Sequence, residues 1–281
     1  MGGLDKGHIM SRRQIIARKI DRYGDVRTML VAMKNLALME IHKLGAQIER
    51  QNQLLETVAR VADDFSSFYP LPVMTGMAVC IVIGTERGFC GEFNTELMAP
   101  LRARQERGEK ILIVGRRLAE RLMEEGTFKA MTGATVAEEV PTILEQLAIW
   151  LEQTQAQSPD LPINVKVLYQ DEVAGRPVFR TILPLPVPES ARKDFSHKPC
   201  LTLDPPAFLM ALGEQALMLS LEGYFTLSLA AENRRRLVHM ESALHRLDDR
   251  TIGLKRRMNA ARQEDIIQEI ETIMLGSSGG N

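Results

Sequence analysis

The chain has 281 residues, enough for one large domain or two modest ones, and is 45% hydrophobic and 25% charged with a formal net charge of -1. That balance excludes a general electrostatic pull toward nucleic acid or an acidic membrane surface. Aromatics make up only 5% and methionines number 15, a mix that suits long helices better than a β-rich core.

Residues 1–10 are short, Gly-rich and without an apolar core of signal-peptide length, so they read as a loose tail, with Met10 a possible alternative start. Cys80, Cys90 and Cys200 are odd in number and lack CxxC spacing. This speaks against a disulfide framework or a zinc site and for a reducing compartment.

Residues 11–70 read as one long helix with Ser11 as N-cap; no proline falls between Ser11 and Tyr69. Two rows of positions seven apart interleave. One is Ile16, Tyr23, Leu30, Ala37, Leu44, Gln51, Val58 and Phe65; the other is Ile20, Arg27, Lys34, Ile41, Ile48, Leu55 and Ala62. This is the alternating spacing of a coiled-coil seam. Gly24 and Gly45 weaken the helix by about 1 kcal/mol each at exposed positions. At Arg27, Lys34 and Gln51 the long stems are expected to lie along the groove with their heads in water.

Residues 71–205 change character. Ala78–Ile83 and Ile111–Val114 are short apolar runs, as in strands covered on both faces. Ile163–Tyr169 alternates, and Pro177–Leu183 reads as an edge strand. Helical patterns fall at Thr95–Arg107, Arg117–Glu125 and Ala137–Gln155. Alternation of strand and helix predicts an α/β layer domain with parallel pairing. The Pro-rich stretch Pro184–Pro206 reads as an irregular return.

Residues 206–276 read as a second long helix, with rows Leu237, Leu244, Thr251, Met258 and Met240, Leu247, Leu254, Ala261. The register then shifts to an apolar face of Ile266, Ile270, Ile273 and Met274, and residues 277–281 form a flexible end. Phe208–Ala231 is nearly apolar but carries Glu214, Gln215 and Glu222, which argues for burial on two sides and against a membrane span. At 1.5 Å per residue the two helices run to roughly 85 and 100 Å, lengths that need a partner. The expected fold is therefore α/β with a long antiparallel coiled coil of the terminal helices and an inserted Rossmann-like domain. That outline, a shaft with a foot, suggests mechanical coupling rather than chemistry.

Chemistry-bearing patterns are sparse. The loop from Gly84 to Gly91 follows a strand, as phosphate-cradling loops do, but it lacks both GxGxxG and GxxxxGK[ST] spacing. It reads as a structural turn, with a ligand site as the alternative, and the domain is expected to bind no nucleotide. Arg87 beside Cys90 would favour a thiolate, yet no base accompanies it. The five histidines show no metal spacing, and no cofactor is expected. Glu138/Glu139 and Asp248/Asp249 read as solvated faces. The basic runs Arg234–Arg236 and Lys255–Arg257 are interleaved with acids and lack aromatics for stacking, which disfavours nucleic acid.

Three motifs carry a resemblance. Ile16-x-x-Lys19-Ile20 is followed by Ala32-Met33 and Ala37; Thr85-Glu-Arg87-Gly88-Phe-Cys90-Gly91-Glu-Phe-Asn94 forms a loop; and Arg236-x-x-x-Met240 precedes Asn259-Ala-Ala-Arg262-Gln263-x-x-Ile266-x-x-Glu269-Ile270. Together they resemble the gamma subunit, the central rotor shaft, of F-type rotary ATP synthases, over nearly the whole chain. Departures at Arg27–Leu30, His245–Arg246 and Ile267 are similar to a divergent branch, the alternative sodium-type set.

The resemblance implies a non-catalytic stalk subunit of a proton- or sodium-translocating complex, peripheral on the cytoplasmic face of a bacterial or archaeal inner membrane. It couples ring rotation to ATP synthesis in the catalytic hexamer. Its implied partners are the alpha and beta subunits, the epsilon subunit and the membrane c-ring, with no nucleic acid and no small-molecule substrate of its own. Met33, Arg236, Met240, Asn259, Arg262, Gln263 and Glu269 are implied to contact the head, and Ile266, Ile270, Ile273 and Met274 to form an apolar bearing tip. Arg87, Gly88, Cys90, Gly91 and Asn94 are implied to form a loop of the foot. The competing readings are a coiled-coil scaffold or chaperone arm, and an α/β nucleotide-binding enzyme.

Overall fold

The computed structural model describes residues 12–69, 76–122, 128–185 and 197–278. The expected loose tail, the N-cap at Ser11, residues 186–196 of the Pro-rich return and the last three residues lie outside them. The elements are α1 (Arg12–Phe68), β1 (Met77–Ile83), α2 (Phe93–Gln105), β2 (Lys110–Val114), α3 (Arg116–Leu122), β3 (Lys129–Met131), α4 (Val140–Ala156), β4 (Ile163–Asp171), β5 (Arg176–Thr181) and α5 (Pro205–Ser278). A single 3-10 turn, Ala137–Glu139, leads into α4. No helix is long and apolar enough to cross a membrane, among the described residues. The chain divides into two compact units: Met1–Leu36 with Val238–Asn281, and Ala37–Leu237.

In the first unit the start of α1 and the end of α5 run antiparallel. Arg12 pairs with Glu264, Arg27 with Asp248 and Lys34 with Glu241, so the partner number falls as the first rises. The seam follows the sevenfold rows. Ile16, Ile20, Tyr23 and Leu30 are half-buried against a stripe containing the buried Met240 and Ala261. Arg27 and Lys34 interrupt the apolar row, and their heads do not end in water alone. Asp248 and Glu241 stand opposite and accept them at 2.9 Å each. Gly24 leaves the helix unbroken, and a Cβ there would meet nothing.

The second unit is a layered α/β body. Its sheet has the order β3-β2-β1-β4-β5. β1 to β4 pair in parallel, and β5 closes one edge antiparallel to β4. β1 (MAVCIVI) explains the two cores. Val79, Ile81 and Ile83 face one side, where α4 supplies Leu147 and Trp150, α1 supplies Leu44, and α5 supplies Leu221, Phe225 and Leu229. Cys80 and Val82 face the other, against Leu97 and Leu101 of α2 and Leu118 and Leu122 of α3. An apolar run without alternation is what a strand covered on both faces requires. Stacking of Phe65 on Phe208, 5.0 Å between centroids, pins the end of α1 to the start of α5.

Three local readings needed correction. β3 was not anticipated: Lys-Ala-Met is too short and too polar for a periodic signal, and it exists because the end of β2 offers a free edge. The helical pattern from Ala137 begins as a 3-10 turn, and the helix proper starts with Pro141 in its first turn, where a missing N–H costs nothing. The paired acids are not merely solvated. Glu139 accepts the backbone N–H and the hydroxyl of Thr135, Glu138 pairs with Lys43, and Asp248 pairs with Arg27.

Gly84 and Gly115 explain the tight crossing above β1. A Cβ on Gly84 would lie 2.5 Å from Leu118 Cβ. Gly115 holds φ at 120°, and a Cβ there would lie 2.6 Å from the Gly84 carbonyl oxygen. Only glycines let α3 start this close to the loop that follows β1.

Candidate functional site

The loop after β1 is built from the inside out. Thr85 and Asn94 are both buried and hold each other: the Thr85 N–H donates to Asn94 Oδ1 at 3.1 Å, and Asn94 Nδ2 donates to the Thr85 hydroxyl at 2.8 Å. This closes the loop back onto the first turn of α2. Phe89 and Gly91 take left-handed φ values of 66° and 58°, which fold Cys90 inward between them. Phe89 is thereby turned out and exposed. Glu86 ties the loop to its neighbours by accepting the N–H groups of Arg116 and Gly133 at 2.8 and 2.9 Å.

Cys90 meets α5. Its Sγ lies 3.7 Å from Glu232 Oε1 and 3.3 Å from the Gly88 carbonyl oxygen, and Arg236 Nη2 donates to it at 3.4 Å. Arg236 also pairs with Glu232 one turn earlier and donates to Asn233 Oδ1 at 2.7 Å. Asn233 in turn donates to the Leu229 carbonyl at 2.9 Å. All four side chains are buried, and Arg236 Nε has no partner among the described residues. Burial pushes Glu232 up to about 7 against the pull of Arg236. Burial, then the Glu232 charge, pushes the Cys90 thiol up to about 12. Arg87 does not generate a thiolate: its guanidinium is turned to the Thr135 hydroxyl, 3.2 Å away.

Next to this cluster, Arg235 grips Glu96 of α2 through two parallel hydrogen bonds of 2.8 and 2.6 Å. The Arg235 hydrogen bonds hold the Glu96 carboxyl below its ordinary range. Gln170, fully buried near the end of β4, donates to Glu96 at 2.9 Å and to the Phe93 carbonyl at 3.1 Å. Arg234 pairs with Glu172 in the turn after β4. The run Arg234–Arg236 therefore docks on the carboxyl ends of β1 and β4. In a doubly wound sheet these ends flank the point where strand order reverses, the usual ligand crevice. Here α5 fills it.

An open cleft of about 380 Å³ remains beside the loop, lined by Arg87, Phe89, Asn94, Arg117 and Arg121 among others. Of its cations, Arg117 pairs with Glu120 at 3.0 Å, while Arg121 and Arg87 donate to the Thr95 and Thr135 hydroxyls at 2.6 and 3.2 Å.

The structure sorts the sequence-derived residues into three groups. Arg236 and Met240 are buried within the chain. Arg236 is spent on Glu232, Asn233 and Cys90, so a head contact through its guanidinium does not fit. Met33 is half-buried. Asn259, Arg262, Gln263 and Glu269 are exposed on α5, and so are Ile266, Ile270, Ile273 and Met274. Of the loop residues, Arg87 and Gly91 are exposed and Gly88 is half-buried, while Cys90 and Asn94 are interior. Glu96, Gln170 and Glu172 went unnoticed in the sequence. Only Glu232, four residues before Arg236, left a local signal.

A family model described as ATP synthase matches residues 12–279. The chain belongs to the ATP synthase gamma-chain family. It is 22% identical over 293 residues to the ATP synthase gamma chain of Legionella pneumophila strain Corby, covering 96% of this chain and 99% of that one. It is 28% identical over 209 residues to the ATP synthase gamma chain of Pelotomaculum thermopropionicum, covering 70% and 72%. Among solved structures its fold resembles a chain of the Euglena gracilis mitochondrial ATP synthase in an OSCP/F1/c-ring assembly. There the TM-score is 0.66, with 13% identity and coverage of 95% and 94%. It also resembles a chain of the Tetrahymena thermophila central stalk and c-ring, with a TM-score of 0.54, 13% identity and coverage of 76% and 99%.

Proposed function

We propose that this gamma-family chain is the central-stalk rotor of an F-type ATP synthase. It couples rotation of an ion-driven membrane ring to conformational change in a catalytic head of alpha and beta subunits, with an epsilon subunit beside it. The reading places it at the membrane surface as a peripheral subunit and assigns it no bond chemistry of its own. The carrying observation is the far end of α5. Beyond Glu264, which faces Arg12 at the start of α1, the helix continues with Ile266, Ile267, Ile270, Ile273 and Met274 all exposed. An apolar helix end of this kind is unfavourable in water and suits an apolar sleeve. Arg262, Gln263 and Glu269 on the same stretch supply polar groups whose contacts would change with angle. A rotor acts by stabilising different states of its surroundings in turn.

The test is reconstitution. Head subunits assembled with this chain, and carrying a bead on its α/β unit, should rotate the bead in steps when ATP is supplied. A complex that lacks the chain should lose ATP synthesis driven by an ion gradient. Gradient-driven synthesis that survives deletion of the chain would refute the reading.

A further inference from the structure

We infer that the run Arg234-Arg235-Arg236 is a three-point key that locks α5 to the α/β unit, and that this key carries torque between them. The inference rests on the rotor reading above. Successive residues on a helix project about 100° apart, so three in a row span roughly 200° of its circumference. Each guanidinium engages a different part of the α/β unit. Arg234 takes Glu172 in the turn after β4. Arg235 takes Glu96 on α2, with Gln170 of β4 bridging to the same carboxylate. Arg236, held by Glu232, donates to Cys90 in the loop after β1. The helix is therefore gripped from several sides at one level.

The rest of the joint is different in kind. Leu217, Leu221, Phe225 and Leu229 of α5 pack on the sheet and α4 through apolar contacts. Such contacts resist separation but are non-directional, so they oppose sliding and axial rotation weakly. Paired guanidinium–carboxylate bonds fix angle as well as distance. A load applied to the α/β unit and delivered along α5 must cross this joint. Among the described residues the charge-assisted part of the joint is the arginine run; the Gln47–Glu222 hydrogen bond and the Tyr169–Tyr224 stack are the neutral or singly charged directional contacts beside it.

Arg235 and Glu96 suit a test because both are partly exposed, 24% and 38% at the side chain. The measurement is ions transported per ATP hydrolysed in the assembled, membrane-reconstituted complex. Arg235→Glu should leave ATP hydrolysis near the wild-type rate and lower ions per ATP roughly threefold or more, since loss of a charge-assisted pair is of the order of tenfold in an equilibrium. Combining Arg235→Glu with Glu96→Arg should restore at least about half of the lost ratio, because the pair is re-formed in reverse. A wild-type ratio in Arg235→Glu would overturn the inference, and so would a double variant as uncoupled as the single one. Should Arg235→Glu fail to assemble, Arg235→Met keeps the stem and removes only the ion pair, and is held to the same ratio. A complex lacking this chain that still couples ATP hydrolysis to ion transport would sink the rotor reading instead, whatever the variants do.

Discussion

Glu232 and Arg236 face each other one helical turn apart on α5, and both are almost wholly withdrawn from water. A charge pair in that setting is seldom a net source of stability, because desolvation offsets most of the attraction. Its consequences show when one member is removed.

Replacing Arg236 by Met should destabilise the chain by up to about 3–5 kcal/mol at pH 8, above the range in which folded Glu232 holds its proton, since Glu232 would be left buried without a compensating charge. Replacing both by apolar residues, Glu232→Leu with Arg236→Met, should cost clearly less than the single change. Urea midpoints of the two variants check this. A double variant less stable than Arg236→Met alone would contradict the account.

The pair also sets a pH signature. Burial raises Glu232 from about 4.5 to about 7 in the folded chain. Between those values the unfolded chain has released the proton and the folded chain still holds it. Stability attributable to this group is therefore present at low pH, falls as pH rises through that window, and is constant above it. Glu232→Gln removes the titration. The stability of wild type relative to Glu232→Gln should decline from about pH 5 to pH 7 and then level. Thermal midpoints of both proteins at four pH values measure it, and a difference independent of pH would rule the effect out.

Gly115→Ala tests the tight crossing above β1. The new Cβ would lie 2.6 Å from the Gly84 carbonyl oxygen, on a backbone at φ 120°. Backbone strain of this class costs about 1–3 kcal/mol, and the clash adds to it. Gly24→Ala, with nothing within 4 Å of the new Cβ, should instead stabilise by up to about 1 kcal/mol. Denaturation of the two variants side by side should therefore give shifts of opposite sign.

Arg262→Ala with Gln263→Ala addresses the exposed collar of α5. Loss of about 1.4 kcal/mol from a rate-limiting step lowers turnover about tenfold, so ATP turnover of the assembled complex should fall several-fold. Helix content should be unchanged, because Ala is the best helix former. Full turnover by a correctly assembled double variant would reduce both residues to solvated surface.

Lys34→Ala offers the contrast. Its ion pair with Glu241 is substantially exposed, and removing it should change stability by no more than about 1 kcal/mol. A larger loss in the urea midpoint would show the seam to be less tolerant than its solvent access implies.

The two long helices are legible in the sequence, because the seam repeats a simple rule. Leu44 recurs seven residues after Ala37, and burial at both positions follows from helical periodicity alone. The same holds for β1, whose unbroken apolar run announces a strand covered on both faces. The apolar stripe of Ile266, Ile270 and Ile273 is likewise a matter of spacing within one helix, and all three side chains are exposed. β3 was invisible, as three residues carry no period.

What sequence alone determined here is whatever depends on neighbours within a turn or two: helix against strand, the seam, and the motif set that marks the gamma-chain family. What only tertiary structure decided is where each charge goes. Arg235 and Glu96 stand 139 residues apart, Arg236 and Cys90 stand 146 apart, and nothing in local spacing couples them. Arg236 looked like a surface contact and is interior. Sequence proximity of Arg87 would favour a Cys90 thiolate, without a base to accompany it, whereas burial and the Glu232 charge raise the thiol instead. The reason is physical. Periodicity reports which face of an element is buried, whereas ion pairing and protonation depend on the dielectric and on the partners that the fold brings within 3 or 4 Å, and those are fixed only when the chain closes on itself.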